Sequence, residues 1–159
     1  MAPTTTPILP EGYTLQIGYP DIPSYLRLRS ASGLTPKSPA QAAPIPSNSW
    51  YGCYITFDGA PVAIGRIIGD GGWYFHIADM ATLPDHQRKG LGQVVLRELL
   101  AYIGRNAPHD ETKGECPYVT LFADGPGRRL YEKHGFKEAA PKQMGMQIYD
   151  RKVVPGDWA

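Results

Sequence analysis

Cysteine is scarce in this 159-residue chain, with Cys53 and Cys116 alone. Two thiols so far apart in sequence make neither a disulfide framework nor a metal-ligand cluster, and they fit a reducing, cytoplasmic compartment. An excess of one charge is missing too. Sixteen Lys and Arg meet fifteen Asp and Glu, for a net charge of +1, which argues against a broad electrostatic surface for nucleic acid or membrane. Any anion must therefore be held by a local device. No apolar run approaches the ~18 residues of a membrane span, and the opening MAPTTTPILPEGY has neither the basic start nor the apolar block of a signal peptide. Repeats and low-complexity linkers are absent. His86, His109 and His134 stand in polar surroundings that suggest solvated side chains. No histidine pair has metal spacing, so no metal is expected.

Proline and glycine are plentiful, 16 and 18 residues, and unevenly placed. Pro3, Pro7 and Pro10 mark residues 1–12 as a loose N-terminal tail. Residues 13–159 then read as a single domain, because ~100–200 residues are typical of one. A chain of this length buries roughly 68–70% of its unfolded surface, enough for a proper core.

The spacing predicts a strand over Tyr13–Gly18 and a helix that Asp21 caps and Gly33 ends. A short helical piece is expected at Gln41–Ala43 in a proline-rich zone. Strands over Trp50–Phe57 and Pro61–Ile68 flank Asp58-Gly59, a strong hairpin signal. After the turn Asp70-Gly71-Gly72 comes the apolar run Trp73–Leu83, so this part of the sheet is antiparallel. Leu91, Val94, Val95, Leu99 and Tyr102 keep helical spacing from Gly90 to about Arg105. A strand at Tyr118–Ala123, a short helix capped by Asp124 and stopped by Gly135, and a last strand at Met144–Arg151 complete the order. This is a mixed α/β (α+β) sheet rather than an alternating doubly wound fold.

The most informative stretch is Gln87-Arg88-Lys89-Gly90-Leu91-Gly92. It follows a strand end and a turn, and places two glycines at the mouth of an amphipathic helix. A first helical turn has unpaired N–H groups and the positive end of the dipole, and glycines let a bulky anion approach them. Arg88 and Lys89 add charge beside that point. A phosphate or pyrophosphate cradle is one reading, and a tight turn whose glycines serve geometry alone is the other. The stretch is neither a Walker loop nor the three-glycine dinucleotide fingerprint.

Gln87-Arg88-Lys89-Gly90-Leu91-Gly92 resembles the Gln/Arg-x-x-Gly-x-Gly/Ala motif of the GNAT superfamily of acetyl-CoA-dependent N-acetyltransferases. Leu130-Tyr131-Glu132-Lys133-His134-Gly135-Phe136 is similar to that family's Leu-Tyr-Glu-Lys-x-Gly-Phe segment and follows at the expected distance. The resemblance runs roughly from Tyr13 to Arg151 and is strongest from Trp73 onward. Two departures stand out: the family often has Asn where Asp124 stands and Ala where Gly127 stands. The resemblance implies a mostly antiparallel sheet of about six or seven strands, helices on both faces and splayed central strands. It also implies acetyl-CoA as co-substrate.

In the family the loop amides hold the CoA pyrophosphate, a role that passes here to Gln87, Arg88, Lys89, Gly90, Leu91 and Gly92. The preceding strand pairs with the pantetheine arm, which would use backbone groups of Met80 and Thr82 in the manner of an added strand. Backbone N–H near Met80 and Ala81 would meet the acetyl oxygen. Pro126 and Arg128 fall near the expected adenosine end, without a fixed role, and Asp124 is counted with Arg128 among the cofactor-binding residues. Tyr131 matches the general-acid position. For the base, His76 stands at the family spacing before Gln87, and its ordinary pKa near ~6.5 suits the task. Asp79 is the rival: it interrupts an apolar run, and a buried carboxylate needs a partner or a job. It could take the proton, anchor the amine's charge or bond to backbone, and bulk water is a third base.

Trp50, Tyr51, Tyr54, Trp73, Tyr74 and Phe75 either line a pocket for an aryl or hydrophobic amine or belong to the core. The expected reaction is acetyl transfer to the primary amine of a small molecule by direct attack in a ternary complex. The alternatives are a protein lysine or N-terminal acceptor, and a non-catalytic acyl-CoA sensor. Dimerisation is frequent in the family, and no surface strip in the sequence identifies a homodimer interface.

Overall fold

A computed structural model describes residues 8–147, which fall into two compact units, one ending at Leu121 and the other starting at Phe122. The first unit holds strands β1 (Tyr13–Ile17), β2 (Tyr51–Phe57), β3 (Ala60–Gly69), β4 (Tyr74–Thr82) and β5 (Tyr118–Thr120). Its helices are α1 (Ile22–Ala31), α2 (Pro39–Ala42), α3 (Ile45–Asn48) and α4 (Leu91–Asn106). The five strands lie in sequence order, with β1 to β4 antiparallel and β5 parallel to β4. The mixed, mostly antiparallel class is as expected. The sixth strand is not seen among the described residues: Met144–Gln147 is irregular, and 148–151 lie outside them.

Local chemistry sets the elements. Asp21 accepts the N–H of Ser24 at 2.8 Å and opens α1 with Pro23 in its first turn. Asp58 (φ 47°) and Gly59 (φ 83°) both take the left-handed conformation, the twist that a two-residue hairpin between β2 and β3 demands. Pro10 and Gly12 are tied down as well, accepting from Tyr13 N and Asp58 N. The single helical piece expected near Gln41 is two short helices, because Pro44 interrupts the run.

Residue parity fixes the two faces of the sheet. Gly65 of β3 faces α4: a Cβ there would lie 2.6 Å from Val95 Cγ1 and 3.0 Å from Leu99 Cδ1. Its neighbour Arg66 points to the other face, where α1 supplies Tyr25 and Arg29. Helices therefore cover both faces. On the α4 side Leu91, Val95, Leu96, Leu99 and Ile103 pack with Cys53, Ala63, Ile67 and Phe75, all buried, and this is the main core.

The described part of the second unit contains a 3-10 turn at Gly125–Gly127 running into α5 (Arg128–Lys133). Asp124 stands at the N-cap position of that turn but its side chain makes no capping bond, contrary to its expected capping role. Gly135 (φ 87°) stops α5 as its sequence position implied, and Phe136 N donates to Tyr131 O at 3.1 Å.

Candidate active site

Strand β4 is regular up to Ala78 and then gains a residue. Arg66 opposes Ala78 and Ile64 opposes Ala81, so two steps on β3 face three on β4. This is a β-bulge, and Asp79 carries it with φ 56°. The extra residue flips parity. Without it Asp79 would face α4; with it the carboxylate joins Arg66 on the α1 side, and Met80 turns its sulfur toward Gly65.

Asp79 is fully engaged there. Oδ2 accepts Arg66 Nε at 2.5 Å and the Tyr25 hydroxyl at 2.6 Å, while Oδ1 pairs with Arg29 Nη1. Side-chain exposures of 9% for Asp79, 10% for Arg29 and 15% for Arg66 make this a buried cluster. Burial, then the Asp79 hydrogen bond, pushes the Tyr25 phenol up to about 12. The partner of the apolar-run carboxylate is thus a pair of guanidiniums and a phenol, and not the backbone. Arg29 Nη2 also donates to Thr35 O and Arg66 Nη1 to Ser49 Oγ, which ties both ends of the 34–49 segment to the sheet.

His76 lies on the same face, opposite Ile68 in β3 and paired with Thr120 in β5. Its Nδ1 is 2.9 Å from Thr120 Oγ1. Burial first, and the Arg66 charge second, hold its pKa below the usual histidine range. The ladder between β4 and β5 covers only Tyr74–His76 and Tyr118–Thr120. From Ile77 to Thr82 β4 has no partner in β5, so its edge carries no ladder there among the described residues. β5 itself ends at Thr120 rather than at Ala123.

At the end of β4, Gln87 Nε2 donates to Thr82 O at 3.0 Å and closes the corner into the loop. Arg88 (φ 58°) and Gly90 (φ 80°) are both left-handed. A Cβ at Gly90 would meet open space, so conformation rather than crowding asks for glycine there. The first α4 amide with a carbonyl partner is Val94, bonded to Gly90 O at 3.1 Å. The N–H groups of residues 90 to 93 have no backbone acceptor among the described residues. Arg88 is exposed beside them. Lys89 is drawn elsewhere, donating to Asp85 O at 3.0 Å and to the Tyr13 hydroxyl at 3.2 Å. That hydroxyl also bonds His86 Nδ1 at 2.8 Å, so His86 is half-buried and partnered rather than solvated.

In the second unit Tyr131 is buried, and burial with the nearby Asp124 charge raises its phenol pKa. Gly127 departs from the family's usual Ala, and a Cβ there would come within 3.1 Å of the Tyr131 ring. Arg128 and Asp124 are exposed. The aromatic residues divide: Trp50 and Tyr51 pack with Tyr102 of α4 and Phe75 packs on Trp50, whereas Trp73 and Tyr74 cluster with Tyr118, exposed. His109 and His134 each bond a nearby carbonyl. Among the described residues no His, Cys, Asp and Glu group could hold a metal, and no helix is long and apolar enough to cross a membrane.

Residues 49–138 match the acetyltransferase (GNAT) domain family, more than half of the sequence. The chain belongs to the GNAT acetyltransferases. A Staphylococcus aureus protein of unknown function, described as a probable acetyltransferase, is similar to it at 30% identity and a TM-score of 0.79 over 86% of this chain and 98% of that one. The uncharacterized N-acetyltransferase ycf52 of Pyropia yezoensis is 31% identical over 90 residues, 57% of this chain and 47% of the relative. This GNAT chain thus spans about half the length of the curated relatives it matches. The ribosomal-protein-S18-alanine N-acetyltransferase of Escherichia coli shares the fold at 22% identity and a TM-score of 0.62, over 80% of this chain and 79% of that one. The matched region of the GNAT chain runs from the start of β2 past α5, so it includes both motif segments.

Sequence reasoning missed Tyr25, Arg29, Arg66 and Thr120. Arg66 carried a usable signal: a lone cation in the apolar strand Ala60–Gly69, one hairpin away from a lone carboxylate.

Proposed function

We propose that this chain transfers an acetyl group from acetyl-CoA to the primary amine of a small molecule, by direct attack within a ternary complex. The observation that carries the reading is the course of β4. Its ladder with β5 stops after His76, it bulges at Asp79, and it runs into a loop whose amides at residues 90 to 93 have no backbone acceptor among the described residues. The donor, when bound, supplies an acetyl group already activated as a thioester. The loop fits a diphosphate, since four successive N–H groups and the Arg88 guanidinium offer donors that meet no acceptor among the described residues. Lys89 anchors the loop to β1 and Asp85, and Gln87 fixes the corner. Met80 and Thr82 offer backbone groups to the amides of the pantetheine arm, and the N–H groups of Met80 and Ala81 serve the acetyl oxygen.

His76, held neutral, takes the proton of the amine. The Asp79 carboxylate is taken up by two arginines and the Tyr25 phenol, and it holds the bulge instead. Tyr131, whose raised pKa keeps the phenol protonated at neutral pH, donates to the departing thiolate. Asp124 and Arg128 are assigned to the adenosine end.

Calorimetry with acetyl-CoA, followed by thiol release over arylalkylamines, polyamines, amino acids, aminoglycosides and peptides, tests the reading. Heat on binding and release with a small amine are expected. No heat would overturn it altogether. Release with peptides alone would move the acceptor to protein, the class named for the Escherichia coli enzyme, and binding with no release would make the domain a sensor. Tyr131→Phe should cut kcat by roughly 10²-fold with little change in acetyl-CoA affinity. An unchanged kcat removes Tyr131 from the acid role.

A further inference from the structure

The side chain of Thr120 faces His76 because partners across a sheet ladder share a face, and these two are register partners in the short β4–β5 ladder. A threonine hydroxyl has one proton to give. Two groups stand within its reach: the Phe75 carbonyl, an acceptor with no proton of its own, at 3.4 Å, and His76 Nδ1 at 2.9 Å. With the hydroxyl turned to the carbonyl, which can only accept, the Thr120 oxygen accepts from His76 Nδ1 and that nitrogen brings the proton. We propose that Thr120 is a positioning residue that fixes His76 in its Nδ1–H tautomer, so that Nε2 carries the lone pair that receives the amine proton.

The catalytic half of this rests on the reading of His76 as base; the tautomer does not. Any group that meets Nε2 must be a donor, as a protonated amine is. Arg66, on the same face, opposes the imidazolium form, and half of the cluster's positive charge is offset by Asp79. The ring is therefore a neutral, singly protonated imidazole, the form in which a tautomer has meaning. Threonine supplies what a carboxylate partner would not: it fixes the ring without stabilising its cation.

Long-range proton–nitrogen correlation of the imidazole rings in nitrogen-15-labelled protein at neutral pH reads the tautomer, with His76→Gln assigning the signal. Wild type should show a protonated Nδ1 and an unprotonated Nε2. Thr120→Val removes the acceptor at nearly constant volume; it should shift the ring toward the Nε2–H form and lower kcat roughly tenfold or more. Thr120→Ser should keep the tautomer and recover most of kcat. An Nε2–H ring in wild type, or an unchanged tautomer in Thr120→Val, overturns the proposal, and the wild-type spectrum decides even if the valine variant fails to fold. A protonated Nδ1 alongside full activity of His76→Gln would instead sink the base assignment and leave the grip of Thr120 on the ring intact.

Discussion

The imidazole of His76 loses solvent before it gains any other influence, and both burial and Arg66 disfavour its charged form. Because the folded pKa lies below the unfolded value of ~6.5, the unfolded chain binds this proton more readily. The contribution of His76 to stability is therefore complete above ~6.5 and is lost as pH falls below it. The rising limb of kcat/KM should have its midpoint below ~6.5, and His76→Gln should abolish that limb. A midpoint above this value, or a limb that survives in the variant, assigns the proton to another group. Cys53 shows the same physics with a different result. Burial, with Glu98 adding to it, pushes its thiol up to about 12, so it is inert as a nucleophile. A disulfide reagent should titrate one thiol rapidly in the native protein, that of exposed Cys116, and a second only on unfolding.

At the scale of elements, what the sequence made legible was what depends on neighbours in the chain. The Asp58-Gly59 hairpin, the capped start of α1, the amphipathic run of α4 and the loop at Gly90 all follow from short-range patterns, and their bounds are off by a residue or two. The bulge at Asp79 was not legible. Nothing in Ile77-Ala78-Asp79-Met80 announces an extra residue; it is set by Gly65, Val95 and Leu99, which let Met80 sit where a Cβ on residue 65 would be. The early end of β5 and the threonine partner of His76 were hidden for the same reason, since both arise from pairing between distant segments. Two of the three glycines of α4 and its mouth give a contrast. Gly90→Ala forces a side chain into φ 80° at a cost of about 1–2 kcal/mol, and acetyl-CoA affinity by calorimetry should fall several-fold. Gly104, exposed in the last turns of the same helix with open space around it, should do the reverse: Gly104→Ala should stabilise the protein by about 0.5–1 kcal/mol in urea and leave affinity unchanged.

At the scale of the molecule, the cluster around Asp79 ties α1 and the proline-rich segment to the sheet of the first unit. Arg29 comes from α1, Arg66 from β3, Asp79 from β4, and the same guanidiniums hold Thr35 and Ser49 at the two ends of the proline-rich segment. Two buried cations sharing one anion have little to spare. Asp79→Asn would leave them facing each other, and the loss of unfolding free energy in urea should be roughly 3–5 kcal/mol. A loss under about 1 kcal/mol would mean that the ion pairs behave as surface contacts do.

The parity change in β4 bears on how this lineage can be recombined. A spliced strand that lacks the extra residue would aim the carboxylate at position 79 into the hydrocarbon beneath α4. Length, more than spelling, is what a chimaera has to conserve here, so a one-codon deletion in this strand should be tolerated less well than any single replacement within it.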